Sequence, residues 1–347
     1  MMAEPGLVRE AVALMEASKA ASTKDTYRSA VEKWKRFVSI FSSPQWPIVW
    51  HAPTRWDMVL YLTWMAPFMK LASIHVYLYA MRDMVMRQGR PNPLDCHFLE
   101  LTWRGIKKTK KETVMKRWAL TVPLLRRVIV AAIAKVRGDM TKLSYEVIVT
   151  LTVMVWGVFG LFRVGELVVS GKAKFARVLR WRHVRLSQDD GLEVLIIFLD
   201  GSKTDPFRRG VEVRLCRQDE QLLCPIAWRK RLREAMERRG VEATSGAAVF
   251  RWGSGKNVDR GSFVERGKAL AKMAGLDEAG FNGISLRKGG ATSLQLAGAG
   301  DLAIMRAGRW RSWCFARYVE ESTASLYYQQ AAMGGLRNER MVKKLRI

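Results

Sequence analysis

Carboxylates are scarce in this sequence and dispersed. The 347 residues carry 32 Asp and Glu against 59 Lys and Arg, and the neighbouring acids Asp189 and Asp190 sit in a turn. Polymerase and nuclease metal sites need gathered carboxylates, so that chemistry is not indicated. Histidine is rarer still: His51, His75, His97 and His183 are all there is, with no H-E-x-x-H pair. The four cysteines, Cys96, Cys216, Cys224 and Cys314, form no C-x-x-C pair. Neither a zinc site nor a disulfide framework follows, which fits a reducing compartment. There is no P-loop, no nucleotide-binding glycine fingerprint and no G-x-S-x-G. Long apolar runs are missing too. Val147 to Phe162 is the longest stretch free of both charged residues and histidine, Arg163 ends it, and it falls short of the roughly 20 residues that span a bilayer. Glu4, Arg9 and Glu10 leave no signal-peptide apolar core. The expectation is a protein without metal or other cofactor and with no membrane partner.

What the sequence has is positive charge. The formal net charge is +27, while 49% of residues are hydrophobic, enough for sizeable cores. A globular chain that basic repels itself unless it meets a polyanion, and nucleic acid is the first candidate. A ribosomal or simply soluble basic protein is the other reading.

Pattern divides the chain. Residues 1–17 read as a leader or frayed helix. Residues 18–106 read as an all-helical unit. Its first helix is capped by Thr23 and carries Tyr27, Val31, Trp34, Phe37 and Val38 at spacings of three and four. Thr54 opens a second helix, a third runs from Ser73 to Gln88, and Leu94 to Ile106 forms a fourth. Residues 107–120 form a basic linker containing Lys107, Lys108, Lys110 and Lys111, either a solvated run or a track for a phosphate backbone. From Thr121 an amphipathic helix leads into the apolar helix Tyr145–Phe162. Leu192–Leu199 and Val211–Leu215 read as a β-hairpin, with Val178–Leu186 as a third, edge strand. Helices follow over Pro225–Arg239, Asp259–Ala274, Ile284–Ala297, Asp301–Ala307 and from Ser312. The fold class is mostly α with a small antiparallel sheet, α+β, in a unit spanning 121–330; residues 331–347 are a tail.

Three stretches could serve phosphate chemistry without a metal. Gly160-Leu161-Phe162-Arg163-Val164-Gly165-Glu166-Leu167 ends the apolar helix. Ser202-Lys203-Thr204-Asp205 lies at the hairpin tip beside Arg208 and Arg209. Ile284-Ser285-Leu286-Arg287-Lys288-Gly289-Gly290-Ala291-Thr292 precedes Gly308-Arg309-Trp310 and then Tyr318. Singly, each has a plain alternative: Arg163 with Glu166 as a helix ion pair, Lys203 in a solvated turn, Tyr318 as packing beside Phe315. Tyr327 and Tyr328 are rival nucleophiles.

In that order the boxes resemble the tyrosine recombinase (phage integrase-like) family. The resemblance takes in most of residues 20–330, including Ser22-Thr23-Lys24-Asp25-Thr26-Tyr27 at the start of the helical unit. Ser202-Lys203-Thr204-Asp205, Cys224-Pro225 and Arg287-Lys288-Gly289-Gly290 look closest to the branch carried by eukaryotic mobile elements. The resemblance implies a helical, SAM-like core-binding domain followed by the family's catalytic domain. It implies double-stranded DNA as partner and a homo-oligomer, tetrameric at synapsis, with the C-terminal segment passed to a neighbour. It implies Tyr318 as nucleophile forming a 3′-phosphotyrosine link, Arg163 and Arg287 as the phosphate clamp, and Lys203 as proton donor to the leaving oxygen. Trp310 would give its indole N–H to a phosphate oxygen and Glu166 would orient Arg163. Two forked guanidiniums suit a phosphorane-like transition state in which negative charge grows. Lys107, Lys108, Lys110, Lys111, Arg208, Arg209, Lys288 and Arg309 would contact DNA.

One position departs from the pattern. Ile284 stands three residues before Arg287, where the family usually has histidine. Isoleucine can neither give nor take a proton, which puts the proton-transfer network in question. Two rivals to a recombinase or integrase therefore stay open: an impaired or domesticated relative that binds DNA without cutting it, and a type IB topoisomerase. Localisation would follow the substrate, to the nucleus in a eukaryote and otherwise to the cytoplasm or nucleoid.

Overall fold

The computed structural model describes residues 5–112, 117–170, 178–200 and 209–319. The chain divides into two compact units, Met1–Val114 and Met115–Ile347.

Among the described residues the first unit is helical throughout: α1 Pro5–Ala17, α2 Ala21–Phe41, α3 Arg55–Met65, α4 Leu71–Met86 and α5 His97–Thr109. Trp34 and Phe37 of α2, Tyr61 and Leu62 of α3, and Ile74 and Met81 of α4 meet in one core. The α3 entry matches the sequence signal. Asp57, 2% exposed, accepts the Thr54 N–H at 2.7 Å and the Trp46 indole N–H at 3.0 Å, while Thr54 Oγ1 accepts the Asp57 N–H. Thr23 corrects another expectation. Helix α2 starts at Ala21 behind Ala20, so Thr23 lies inside the first turn, its N–H on Ala20 O at 2.9 Å.

Helix α5 carries Lys107 and Lys108, both exposed, in its last turn, where cations complement the helix dipole. Lys110 leaves the helix and donates through Nζ to Ala66 O and Met69 O. The expected linker is thus helical where it begins. Gly105 sits exposed inside α5, with open space where a Cβ would stand. Gly105→Ala is expected to stabilise this unit by about 1 kcal/mol. A higher denaturant midpoint checks it; an unchanged or lower one contradicts it.

The second unit is built round α7, Tyr145–Phe159, almost all of it buried. α6 (Val122–Ala134), α9 (Pro225–Arg239), α10 (Arg260–Met273) and α11 (Ile284–Leu296) pack against it. This explains the uncharged run as a helix with no wet face. The antiparallel sheet has the order β1 Val184–Asp189, β2 Leu192–Leu199, β3 Val211–Cys216. β2 is central, and Val194 to Ile197 are buried in succession, so it reads as a continuous apolar run rather than an alternation. The edge strand is shifted from the expected 178–186. Trp181 and Arg182 give their N–H groups to Ala247 O and Ser245 O, and Arg180 gives its own to His183 Nδ1. Those donors are not available to β2, so pairing begins with Val184 on Ile197.

The far end of the expected linker is also structured. Ala119 and Leu120 are buried, and residues 117–122 run along α11. The Leu120 N–H reaches Ser285 O at 2.9 Å, the Val122 N–H reaches Ser293 Oγ at 2.9 Å, and the Trp118 indole reaches Asp277 O at 2.7 Å. The paired glycines of α11 permit this approach. A Cβ on Gly289 would lie 1.9 Å from Leu120 O, and one on Gly290 2.2 Å from Val158 O. The body of α11 thus meets the carbonyls of Leu120 and Val158 with no side chain between them, and Arg287 stands on the same helix two residues before the first glycine. Lys203 and Arg208 at the hairpin tip, the rival tyrosines and the tail 331–347 lie outside the described residues.

Candidate active site

α7 does not continue to Arg163. Gly160 closes it, Leu161 takes a left-handed φ of 47°, and the Phe162 N–H turns back to Gly157 O at 3.0 Å. The turn leaves two carbonyls, Gly160 O and Leu161 O, without helical donors. Guanidiniums fill the gap. Arg287 Nη1 donates to Leu161 O at 2.9 Å, and Arg309 donates to Gly160 O at 2.9 Å and Leu161 O at 3.3 Å.

Arg163 begins the short helix α8, Val164–Leu167. The Glu166 carboxylate accepts the Arg163 backbone N–H at 2.9 Å and its Nη1 at 2.8 Å. The i,i+3 contact expected from sequence is therefore present, within a wider network. Arg309 Nη2 adds a third bond to Glu166, at 2.9 Å.

Arg287 is 1% exposed. Its second Nη donates to Gly308 O, and its Nε is buried with no partner. The guanidinium carbon lies 4.3 Å from the Trp310 ring centre and 5.7 Å from that of Tyr318. Burial, reinforced by the like charges of Arg163 and Arg309, pushes its pKa down to about 10. It is still a cation at neutral pH, held in a place that disfavours cations. Burial also lowers the pKa of Arg309, against the pull of Glu166. Three guanidiniums around one carboxylate leave net positive charge, which favours an anion at the cluster.

Tyr318 ends a 3-10 turn, Trp313–Tyr318, that follows α12, Asp301–Gly308. Its ring is half-buried, 5.2 Å from that of Trp310, and Thr292 Oγ1 donates to its backbone carbonyl. Trp310 is buried, with its ring stacked against the Arg287 guanidinium.

Of the residues picked out from sequence, Arg163, Glu166, Arg287, Arg309, Trp310 and Tyr318 come together. Lys107, Lys108, Lys110 and Lys111 belong to the first unit. Lys288 turns away from the cluster and donates to Arg117 O at 2.8 Å. Arg209 is exposed just before β3. Ile284 is half-buried at the first position of α11. Among the described residues no three His, Cys, Asp or Glu side chains are gathered to hold a metal, and no helix is long and apolar enough to cross a membrane.

Solved structures share this arrangement of elements. The chain is similar to XerH site-specific recombinase bound to a palindromic difH substrate in a post-cleavage complex. There the TM-score is 0.53 at 14% identity over 81% of this chain and 70% of that one. A lambda integrase dimer bound to a COC' core site matches at TM-score 0.53 and 17% identity over 90% of this chain and 76% of that one. A Tn1549 transposon integrase in complex with transposon right end DNA matches at 0.53 and 13%, over 88% and 93%. The chain has the tyrosine recombinase fold. No protein-family model matches the sequence, and no curated protein matches it either.

Within the tyrosine recombinase fold, what sequence reading missed is the place of Arg309. The resemblance implies Arg309 as one of the DNA contacts. Only the left-handed turn at Arg309, φ 57°, sends its side chain inward to Glu166.

Proposed function

We propose that this protein is a DNA strand-transfer enzyme, a tyrosine recombinase or integrase of a mobile element. The observation that carries the reading is the meeting of Arg163, Arg287 and the Tyr318 ring in one positively charged cluster with Trp310 and Glu166. The net charge of +27 and the DNA-bound states of the structural neighbours support it.

In this reading a backbone phosphate of duplex DNA seats against Arg163 and Arg287. The unpartnered Nε of Arg287 and the guanidinium of Arg163 take its non-bridging oxygens. Their charge is in place before the phosphate arrives, so little reorganisation accompanies the growth of charge on those oxygens. Tyr318 Oη attacks phosphorus and the bond to the 5′ oxygen breaks. The products are a 3′-phosphotyrosine and a free 5′ hydroxyl, whose proton comes from Lys203. The bond energy is kept in the phosphotyrosine, and a 5′ hydroxyl of another strand can reverse the step. Ile284 supplies no group for moving the phenolic proton, which therefore passes to solvent, at a cost in rate on the order of 10²–10⁴-fold. Exposed Lys107, Lys108 and Lys111 contribute salt-sensitive attraction to the phosphate backbone. Integration or recombination proceeds through a homo-oligomer.

Nicked suicide duplexes, randomised in sequence around the scissile step, test this directly. A covalent protein–DNA adduct is expected, with the modification mapped by mass spectrometry to the peptide that contains Tyr318. Salt-sensitive binding of the same duplexes with no adduct would reject strand transfer and leave a DNA-binding relative. Relaxation of supercoiled plasmid by the monomer, with no site preference, would point to a topoisomerase.

A further inference from the structure

Arg309 has the chemistry of a DNA contact and the surroundings of a structural charge. Its side chain is only 14% exposed. Its Nη groups are spent inside the protein, on Gly160 O, Leu161 O and Glu166 Oε2. The face of Phe162 covers it, with the guanidinium carbon 5.2 Å from the ring centre. A side chain so placed does not reach along a groove.

Its partners are the partners of the two other arginines. Glu166 accepts from Arg163 as well as Arg309. Leu161 O accepts from Arg287 as well as Arg309. The link to Arg287 is made a second time through the backbone. Arg309 in its left-handed conformation closes α12, with its N–H on Arg306 O and the Trp310 N–H on Met305 O. That closure presents Gly308 O, the acceptor for Arg287 Nη2.

We infer that Arg309 is a positioning residue of the strand-transfer site: it holds the acceptors of Arg287 in place and divides the charge of Glu166, so that Arg163 keeps cationic strength for the phosphate. The inference rests on the function proposed above. The electrostatics give its sense. With Arg309 removed, Arg163 would be the one guanidinium of the cluster hydrogen-bonded to Glu166. That pairing would cancel most of the charge Arg163 offers an anion. Two carbonyls at the end of α7 would also lose a donor, freeing the turn from which Arg163 projects.

The test separates the chemical step from binding. Single-turnover cleavage of the suicide duplex at saturating protein, and duplex affinity across a salt series, are measured for wild type, Arg309→Ala, Arg309→Lys, Glu166→Ala and the Glu166→Ala/Arg309→Ala double variant. Arg309→Ala is expected to slow cleavage about 100-fold, the scale of losing one preorganised donor. Duplex affinity should stay within about threefold and the salt slope should not change. Arg309→Lys should recover about tenfold of the loss, since it restores the charge without the fork. The double variant should cleave no more slowly than the slower single variant, because both changes break one unit. A weaker Kd with a salt slope lowered by about one phosphate, at an unchanged cleavage rate, would make Arg309 a DNA contact and overturn the inference. Independent, multiplying losses in the double variant would overturn it too. Should Arg309→Ala fail to fold, Arg309→Lys decides alone: cleavage slowed about tenfold at unchanged affinity supports the inference, and wild-type cleavage ends it. If wild type itself forms no adduct, the function proposed above fails. The clasp is then judged by melting: additive losses from Glu166→Ala and Arg309→Ala reject it, and a double variant no less stable than the weaker single variant upholds it.

Discussion

Tyr318→Phe is expected to abolish the covalent adduct with the suicide duplex while leaving duplex binding and the fold intact. The substitution removes one oxygen. The ring would keep its place 5.2 Å from Trp310 and its contact with the Arg287 guanidinium. No hydrogen bond of the Tyr318 hydroxyl occurs among the described residues, so no buried partner is left unpaired. Melting temperature should therefore change little. What is lost is the nucleophile, and removing the attacking atom of a concerted site costs on the order of 10⁶-fold, which no trapping assay would detect. Tyr327→Phe and Tyr328→Phe, made in parallel, should trap as wild type does. Adduct formation by Tyr318→Phe at the wild-type rate would end the assignment of Tyr318 and move it to one of those two.

Gly289→Ala should act on the fold and through it on the site. By helix propensity alone it ought to stabilise α11 by about 1 kcal/mol. The new Cβ, however, would lie 1.9 Å from the Leu120 carbonyl oxygen and 2.3 Å from its carbon. These are backbone atoms, and Leu120 is fixed by its N–H on Ser285 O and by a fully buried side chain. Either residues 117–122 lift away or α11 shifts, and overpacking of this kind costs roughly 1–3 kcal/mol, occasionally more. We expect a net loss near the top of that range, about 3 kcal/mol, and a fall in melting temperature of roughly 6–12 °C. Cleavage should drop about 100-fold even where the protein is folded, because Arg287, two residues away, is displaced from its phosphate. The expectation is the reverse of that for Gly105→Ala, where space is open. Equal melting shifts for the two variants would show that the contact at Leu120 is not what constrains Gly289.

The contrast between these glycines shows how far local reading carries. Both are helical glycines in sequence, and their neighbours on the chain do not tell them apart. Elements whose ends carry their own chemistry were legible. Helix α9 was placed residue for residue because Pro225 opens it and Gly240, at φ 67°, stops it. β2 was equally plain, since seven apolar residues in a run of eight between turn signals admit few alternatives. The entry of α3 followed from Thr54, and the structure adds Asp57 as the other half of its capping box. Thr23 misled because a cap is decided by where the preceding turn ends. The edge strand was misplaced because Trp181 and Arg182 spend their donors on Ala247 and Ser245, a pairing between segments far apart in sequence.

The ordered set Arg163, Arg287 and Tyr318, the excess of cations and the helical build with one small sheet were determined by the sequence alone. They are properties of residue type and order, and type and order survive without coordinates. The tertiary structure decided which cations meet. Arg309 turned inward, Lys288 turned away and Lys110 was drawn back to the end of α3. The direction of a long side chain depends on which carbonyls and carboxylates lie within its reach. Those are supplied by elements distant along the chain, so no local pattern records the outcome.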